Sequence, residues 1–187
     1  MLNQIKQKVT TLIEEKPQVL LAIDGRCAAG KTTLAQKLAE IFSCPVIHMD
    51  DFFLRPEQRT KERLETPGGN VDHERFLEEV MTPLRERKGF SYRPFDCHSQ
   101  QFKEPVRISQ GTLIIVEGSY SCHPSLWDHY DLRIFLDVTE EEQRKRILKR
   151  NGEAAAKIFQ EKWIPMEEKY FEQFHIREKC DIIKEYY

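Results

Sequence analysis

The stretch "GRCAAGKT", Gly25 to Thr32, constrains this chain more than any other. It fits G-x-x-x-x-G-K-[ST]. It follows the apolar run "QVLLAID" and precedes Leu34, Leu38, Ile41 and Phe42 at helical spacing. In that strand–loop–helix context the motif is a polyphosphate cradle. Glycine permits the tight turn, successive N–H groups can point at phosphate oxygens, and the helix N-terminus adds partial positive charge. Lys31 would neutralise the β and γ phosphates, and Thr32 would offer a hydroxyl to Mg2+. The plainer alternative is a chance match in an ordinary strand–turn–helix.

Further apolar runs read as strands: "PVIHMD", "TLIIVEG", "LRIFLD" and "CDIIK". Helical patterns separate them. "MLNQIKQKVTTLIEE" shows one apolar face at Ile5, Val9, Leu12 and Ile13. "DHERFLEEVMTPLRERK" is helical with a kink or break at Pro83. "TEEEQRKRILKR" has Thr139 as N-cap and acids in its first turn. A later helical stretch carries Phe159, Trp163, Met166, Tyr170 and Phe171, aromatics that read as core. Strands alternating with helices predict an α/β domain with a parallel sheet. Residues 54–70 read as a long polar loop with Pro56, Pro67, Gly68 and Gly69. Such loops are often functional. "GFSYRPFDCHSQQFKEPVRI" reads as extended, with a hairpin.

The 187 residues fit one domain, and 40% hydrophobic with 32% charged residues fits a soluble globular chain. A net charge of -2 gives no reason to expect nucleic acid or an anionic membrane as partner. No apolar run could span a bilayer, and the N-terminus has no signal-peptide pattern. Five widely spaced cysteines without a C-x-x-C pair read as reduced thiols in the cytoplasm rather than a zinc site. The phosphate loop implies a nucleoside triphosphate but not a reaction. No N-K-x-D element for reading guanine occurs, and a motor or helicase module usually needs a larger chain. A small domain with polar insertions suits a small-molecule kinase.

Taken in order, "IDGRCAAGKTT", "HMDDFF", "NVDHERF", "PFDCHS", "VEGSY" and "RKRILKR" resemble the uridine kinase-like branch of P-loop kinases. That group includes nucleoside kinases and relatives of phosphoribulokinase and pantothenate kinase. The resemblance covers about residues 19–183. It implies a three-layer P-loop NTPase sandwich with a five-stranded, mostly parallel sheet, a helical lid and a small hairpin insertion. Along a single domain, residues 1–187, it implies an N-terminal helix over 1–16, an acceptor-side insertion over about 54–105 and a lid over about 144–165.

The resemblance also implies roles. Mg-ATP would sit on Gly25, Arg26, Cys27, Ala28, Ala29, Gly30, Lys31, Thr32 and Thr33. Asp50 and Asp51 end the second strand, at the sheet edge where open α/β folds bind ligands. Phosphoryl transfer needs a carboxylate to accept the acceptor hydroxyl's proton. Placing Phe52 on the family's Phe makes Asp50 that base, with a share in the Mg2+ shell. Asp51 becomes its supporting neighbour or a cap of the loop, and Phe53 replaces the family's Tyr. The plainer reading is that both acids cap the following turn.

Asp72 would bind the acceptor's sugar hydroxyls, or act as a helix N-cap, or both. Val71 replaces an aromatic. Phe95 would stack on a base and His98 contact it, over an interval shorter than the family's; an exposed hairpin is the bland alternative for His98. Glu117 would hold Mg2+ through water together with Thr32. Gly118 would let a phosphate or substrate approach closely. Arg146 and Arg150 share a helical face and would close over ATP, with Arg144 beside them; the alternative is a solvated face with Glu142 pairing Arg146. "RNGEAAAK" lacks the later Arg-Gly-Arg of nucleoside kinases.

The expected activity is transfer of the γ-phosphoryl of Mg-ATP to a small-molecule hydroxyl, foremost the 5′-hydroxyl of a nucleoside such as uridine. Pantothenate, nicotinamide riboside or a phosphorylated sugar are alternative acceptors. A non-catalytic ATP-binding switch is the rival of another class. No nucleic-acid or membrane partner is expected, and a homo-oligomer is compatible with the sequence.

Overall fold

The computed structural model describes residues 2–186. Helix α1 (Leu2–Glu15) leads into strand β1 (Val19–Gly25), and the phosphate loop then enters α2 (Lys31–Phe42). Strand β2 (Val46–His48) runs into a 3₁₀ turn over Met49–Phe52. A short helix α3 (Lys61–Glu65) interrupts the polar loop, which ends at α4 (His73–Phe76). A π-helical turn over Leu77–Met81 joins α4 to α5 (Thr82–Arg85), with Pro83 near the start of α5. The expected kink or break at Pro83 is a widened turn inside one continuous helical run. Thr82 helps close it by donating to the Leu77 carbonyl at 3.0 Å.

The extended region holds two nested antiparallel pairs. Strand β3 (Phe90–Tyr92) pairs with β6 (Val106–Ile108), and β4 (Phe95–Asp96) with β5 (Gln101–Phe102). Then come β7 (Leu113–Glu117), β8 (Leu132–Val138), α6 (Glu140–Ile158), α7 (Ile164–Phe174), α8 (Ile176–Lys179) and β9 (Ile182–Tyr186).

The main sheet has the order β2-β7-β1-β8-β9 and is parallel throughout, in line with the five-stranded, mostly parallel sheet expected. Period-2 alternation sends its side chains to two cores. Leu21, Ile23, Ile115 and Ile134 meet Ile5, Val9, Leu34 and Leu38 from α1 and α2. Ala22, Ile114, Val116 and Phe135 meet Phe52, Phe76, Tyr170 and Phe171 on the other face. Burial on both faces explains why the strands read as near-continuous apolar runs. The result is the expected three-layer α/β sandwich.

Gly25 is required twice over. Its φ is +129°, and a Cβ there would lie 2.0 Å from the Leu136 carbonyl oxygen of β8. Thr139 caps α6 as read from the sequence, accepting from the Glu142 N–H at 3.3 Å. Gly152 interrupts α6 with φ 78° and ψ 172°, a kink the helical pattern did not announce. Among the described residues no helix is long and apolar enough to cross a membrane, and all five cysteines are free thiols.

Candidate active site

Four strand ends converge on the phosphate loop. β1 delivers Asp24 and Gly25, β7 delivers Glu117, β2 delivers His48 and then Asp50, and β8 ends at Asp137 and Val138. This is the carboxyl edge of a parallel sheet, where ligands bind in such folds.

On the nucleotide side, Lys31 is buried at the start of α2. Its Nζ donates to the Gly25 carbonyl at 2.6 Å, the Arg26 carbonyl at 2.9 Å and Ser119 Oγ at 3.3 Å. Thr32 Oγ1 lies 3.2 Å from both carboxylate oxygens of Glu117. His48 Nδ1 lies 2.6 Å from Glu117 Oε1, and that hydrogen bond holds the imidazole above its ordinary pKa. His48 escaped the sequence reading because a histidine in a β-branched strand end looks like a strand residue.

Among the described residues no cluster of three or more His, Cys, Asp or Glu side chains could hold a metal alone. The donor set still suits Mg2+. That ion keeps several waters and shares phosphate oxygens, so one hydroxyl and one carboxylate suffice from the protein.

Asp50 sits beyond the end of β2 and makes no side-chain hydrogen bond among the described residues. Crowding by protein raises its carboxyl above the ordinary value. Lys31 counters that, while Glu117 and Glu167 add to it. The residue also keeps substantial exposed surface in the cleft, so water offsets part of this. Gly118, at φ +135°, makes the approach: a Cβ there would lie 2.9 Å from Met49 Cβ and 3.4 Å from Asp50 Oδ1. The glycine thus serves close packing of the β2 exit rather than only an open path to a ligand.

Asp51 accepts from the Tyr92 hydroxyl at 2.8 Å, which ties the 3₁₀ turn to β3. Asp72 is buried. Its Oδ1 accepts from the Arg75 N–H at 3.1 Å as an N-cap, and its Oδ2 accepts from Gln58 Nε2 at 2.7 Å. The Arg75 guanidinium lies 4.1 Å over the Phe52 ring and 5.3 Å from that of Phe102, and donates to the Asp51 carbonyl. Arg75 thus ties α4 to the 3₁₀ turn and to β5. Phe95 is buried edge-on against Phe102, with centroids 5.6 Å apart. His98 lies exposed in the β4–β5 turn, where its N–H bonds Asp96. Val71 is fully buried in the core, and Phe53 bridges to it through the backbone.

Helix α6, which overlaps the expected lid, lies against the loop. Gln143 Nε2 donates to the Cys27 carbonyl at 3.2 Å, and Ile147 packs with Cys27 and Ala156. Arg146 pairs with Glu142 at 2.8 Å and also reaches the Ala28 carbonyl at 3.2 Å. Arg150 is exposed and turns to Asn151. Arg146 and Arg150 thus part company, one on the loop and one in solvent. Arg144 is exposed as well.

Sequence reading missed two buried acids. Asp24 has no exposed surface and accepts from Gly25 N–H (2.7 Å), Tyr120 N–H (3.2 Å), Cys122 N–H (2.8 Å) and Tyr170 OH (2.9 Å). Burial raises its carboxyl to about 6 against these donors. Glu167, from α7, accepts from the Cys27 N–H at 3.0 Å and from Ser119 Oγ. Burial, with Glu167 beside it, pushes the Cys27 thiol up to about 12, so this loop cysteine is no nucleophile. An acid closing the apolar run "LLAID" was the available signal for Asp24, the same signal that marked Glu117.

No family model matches the chain. A uridine kinase from Latilactobacillus sakei subsp. sakei (strain 23K) is 24% identical over 157 residues, covering 78% of this chain and 72% of that protein. Among solved structures, a candidate fructose transport system kinase from Silicibacter sp. TM1040 superposes with a TM-score of 0.74 at 22% identity, over 98% of both chains. A possible uridine kinase from Bacillus stearothermophilus superposes with a TM-score of 0.66 at 18% identity, over 96% of this chain and 98% of its own. The resemblance to the uridine kinase-like P-loop kinases thus recurs in sequence, and the fold is theirs.

Proposed function

We propose that this chain of uridine kinase-like fold is a small-molecule kinase that moves the γ-phosphoryl group of Mg-ATP to an acceptor hydroxyl. One observation carries the reading: Lys31 and Thr32 of the phosphate loop, Glu117 and Asp50 meet at one sheet edge. The loop N–H groups from Gly25 to Thr33 and Lys31 bind and orient the phosphates. Thr32 and Glu117, with Asp50 nearby, would hold Mg2+, which neutralises charge on the phosphate oxygens when bound. Asp50 Oδ accepts the proton of the attacking hydroxyl, and Arg146 on the lid balances charge over the loop. Its raised pKa moves Asp50 toward the working range of a base. No covalent intermediate is required.

The acceptor assigned first is a nucleoside such as uridine, with Asp72, Phe95 and His98 on its side of the cleft. A second reading keeps the chemistry and changes the acceptor. Both Asp72 oxygens are engaged by Gln58 and Arg75, Phe95 is covered by Phe102, and His98 is exposed. This arrangement leaves little that would grip a base, and favours a smaller polyol or sugar-like acceptor. A coupled ADP-release assay over nucleosides, pantothenate, nicotinamide riboside and phosphorylated sugars decides between them. Fast turnover of a nucleoside supports the first reading, and turnover of only a non-nucleoside supports the second. ATP binding with no acceptor-dependent turnover on the panel would instead favour a nucleotide-binding switch.

A further inference from the structure

Glu167 belongs to neither the phosphate loop nor the strand ends. It sits in the first turn of α7, the helix that follows the lid segment, and is only 5% exposed. Its carboxylate reaches into the nucleotide side of the cleft. Oε2 takes the Cys27 N–H, and Oε1 takes the hydroxyl of Ser119. Ser119 Oγ in turn accepts from Lys31 Nζ at 3.3 Å, while the rest of that ammonium is folded back on the Gly25 and Arg26 carbonyls. A protein carboxylate therefore occupies a loop N–H and, through one hydroxyl, engages the lysine that a triphosphate needs. Asp50 feels the same charge.

We infer that Glu167 is an internal competitor of the nucleotide's terminal phosphate, a positioning residue that weakens triphosphate binding and links loop occupancy to α7. The inference rests on the kinase reading above. A triphosphate brings several negative charges into a poorly hydrated cradle and draws Lys31 away from Ser119. Glu167 then faces like charge without the link to Lys31 through Ser119. Relief comes when α7 shifts and carries the carboxylate away from Cys27. α7 is continuous with the helical segment returning from the lid, so the lid senses that the loop is filled.

The loop does not depend on this carboxylate for support. Arg26 is held by Asp137 at 3.2 Å and by Glu168 at 3.1 Å. Gln143 and Arg146 hold the next two carbonyls, and Asp24 holds Gly25. A glutamine at 167 could still accept from the Cys27 N–H while carrying no charge. Its effect should therefore follow charge and not shape.

Isothermal titration of AMP, ADP and ATP, all with Mg2+, into the wild type, Glu167→Gln and Glu167→Met tests this. The two neutral variants are of similar length, so one remains informative if the other unfolds. Either should bind ATP about tenfold more tightly than wild type, ADP by a smaller factor and AMP unchanged. KM for ATP should fall in step, while kcat falls or holds. Weaker or unchanged ATP binding in the folded neutral variants would overturn the inference and leave the kinase reading standing. Equal tightening of all three nucleotides would also overturn it, because the effect would then not track phosphate charge. If wild type binds no ATP, the kinase reading fails first and the inference with it.

Discussion

The proposed nucleotide and acceptor sides of the cleft are held together by different physics. Around the phosphate loop the polar groups are buried and shared. Asp24 collects four donors, Glu167 two, and Glu117 meets Thr32 and His48. Around the long loop, polar side chains near the surface bond one another and nearby backbone carbonyls. Arg63 forms a two-pronged pair with Glu74 at 2.6 and 2.7 Å, and Arg75 lies over the rings of Phe52 and Phe102. The first region is fixed by strands and backbone N–H groups, so its geometry depends on the sheet. The second is fixed by side-chain braces on a long loop, which, on the proposed reading, is where acceptor preference could change without disturbing the sheet.

The largest test of this contrast lies where the two sides meet. Asp50→Asn should lower acceptor-dependent ADP release by about 100-fold or more, the usual loss with a general base. Thermal stability should hold, because the side chain makes no hydrogen bond among the described residues. An unchanged rate would remove Asp50 from the chemistry and leave the acceptor side without a base.

The next effect is on folding and belongs to the nucleotide side. Asp24→Ala orphans several buried donors and should cost about 3 kcal/mol or more in urea unfolding, read at unchanged slope. The pH dependence has a definite sign. The folded pKa, raised to about 6 by burial, exceeds the unfolded value of 3.8. The native state therefore holds the proton more tightly. The stability gained by protonating Asp24 is fully present below about 4 and is lost as pH rises through about 6. Asp24→Asn has no such loss. Its unfolding free energy relative to wild type should thus improve by up to about 3 kcal/mol between pH 4 and pH 7. A flat difference would mean the four donors, rather than burial, set the carboxyl's pKa.

Tyr92→Phe probes a brace between the regions. It removes the hydroxyl that Asp51 accepts and little else, and Tyr92 is 2% exposed. A stability loss of about 1–2 kcal/mol is expected, with KM for the acceptor rising more than KM for ATP. Equal rises in both would mean that the hairpin also shapes the nucleotide side.

The two sides differ in legibility as well. "GRCAAGKT" and "TLIIVEG" are readable because phosphate binding restricts residue type and spacing, and buried parallel strands restrict hydropathy. Asp24 and Glu167 are harder for a physical reason. Each is defined by donors far along the chain: Cys122 and Tyr170 for Asp24, Cys27 and Ser119 for Glu167. No local pattern encodes such partners. On the acceptor side, "NVDHERF" announced an N-cap at Asp72, and the cap is there. The engagement of its other oxygen by Gln58, and the contacts of Arg75 with the Phe52 and Phe102 rings, depend on how the polar loop and the hairpin fold over one another. The π-turn before Pro83 and the kink at Gly152 were likewise hidden, since each is a local compromise between helical hydrogen bonding and packing.

The smallest effect sets the acceptor loop against Asp24 in sign. Arg63 beside Glu74 holds that carboxyl down at about 2, below its unfolded value of 4.5. The unfolded chain therefore takes the proton first, and the pair's contribution is present above about 4.5 and fades as pH falls through about 2. Glu74 is about half exposed, 55% by side chain, so water screens the pair and its worth is about 1 kcal/mol or less. Glu74→Gln should accordingly lower the melting temperature by a few degrees at pH 7 and salt should shrink the gap. Near pH 2 the two chains should melt together. A gap that persists at low pH would show Glu74 acting through packing rather than charge, and the acceptor loop would then be as rigidly built as the phosphate side.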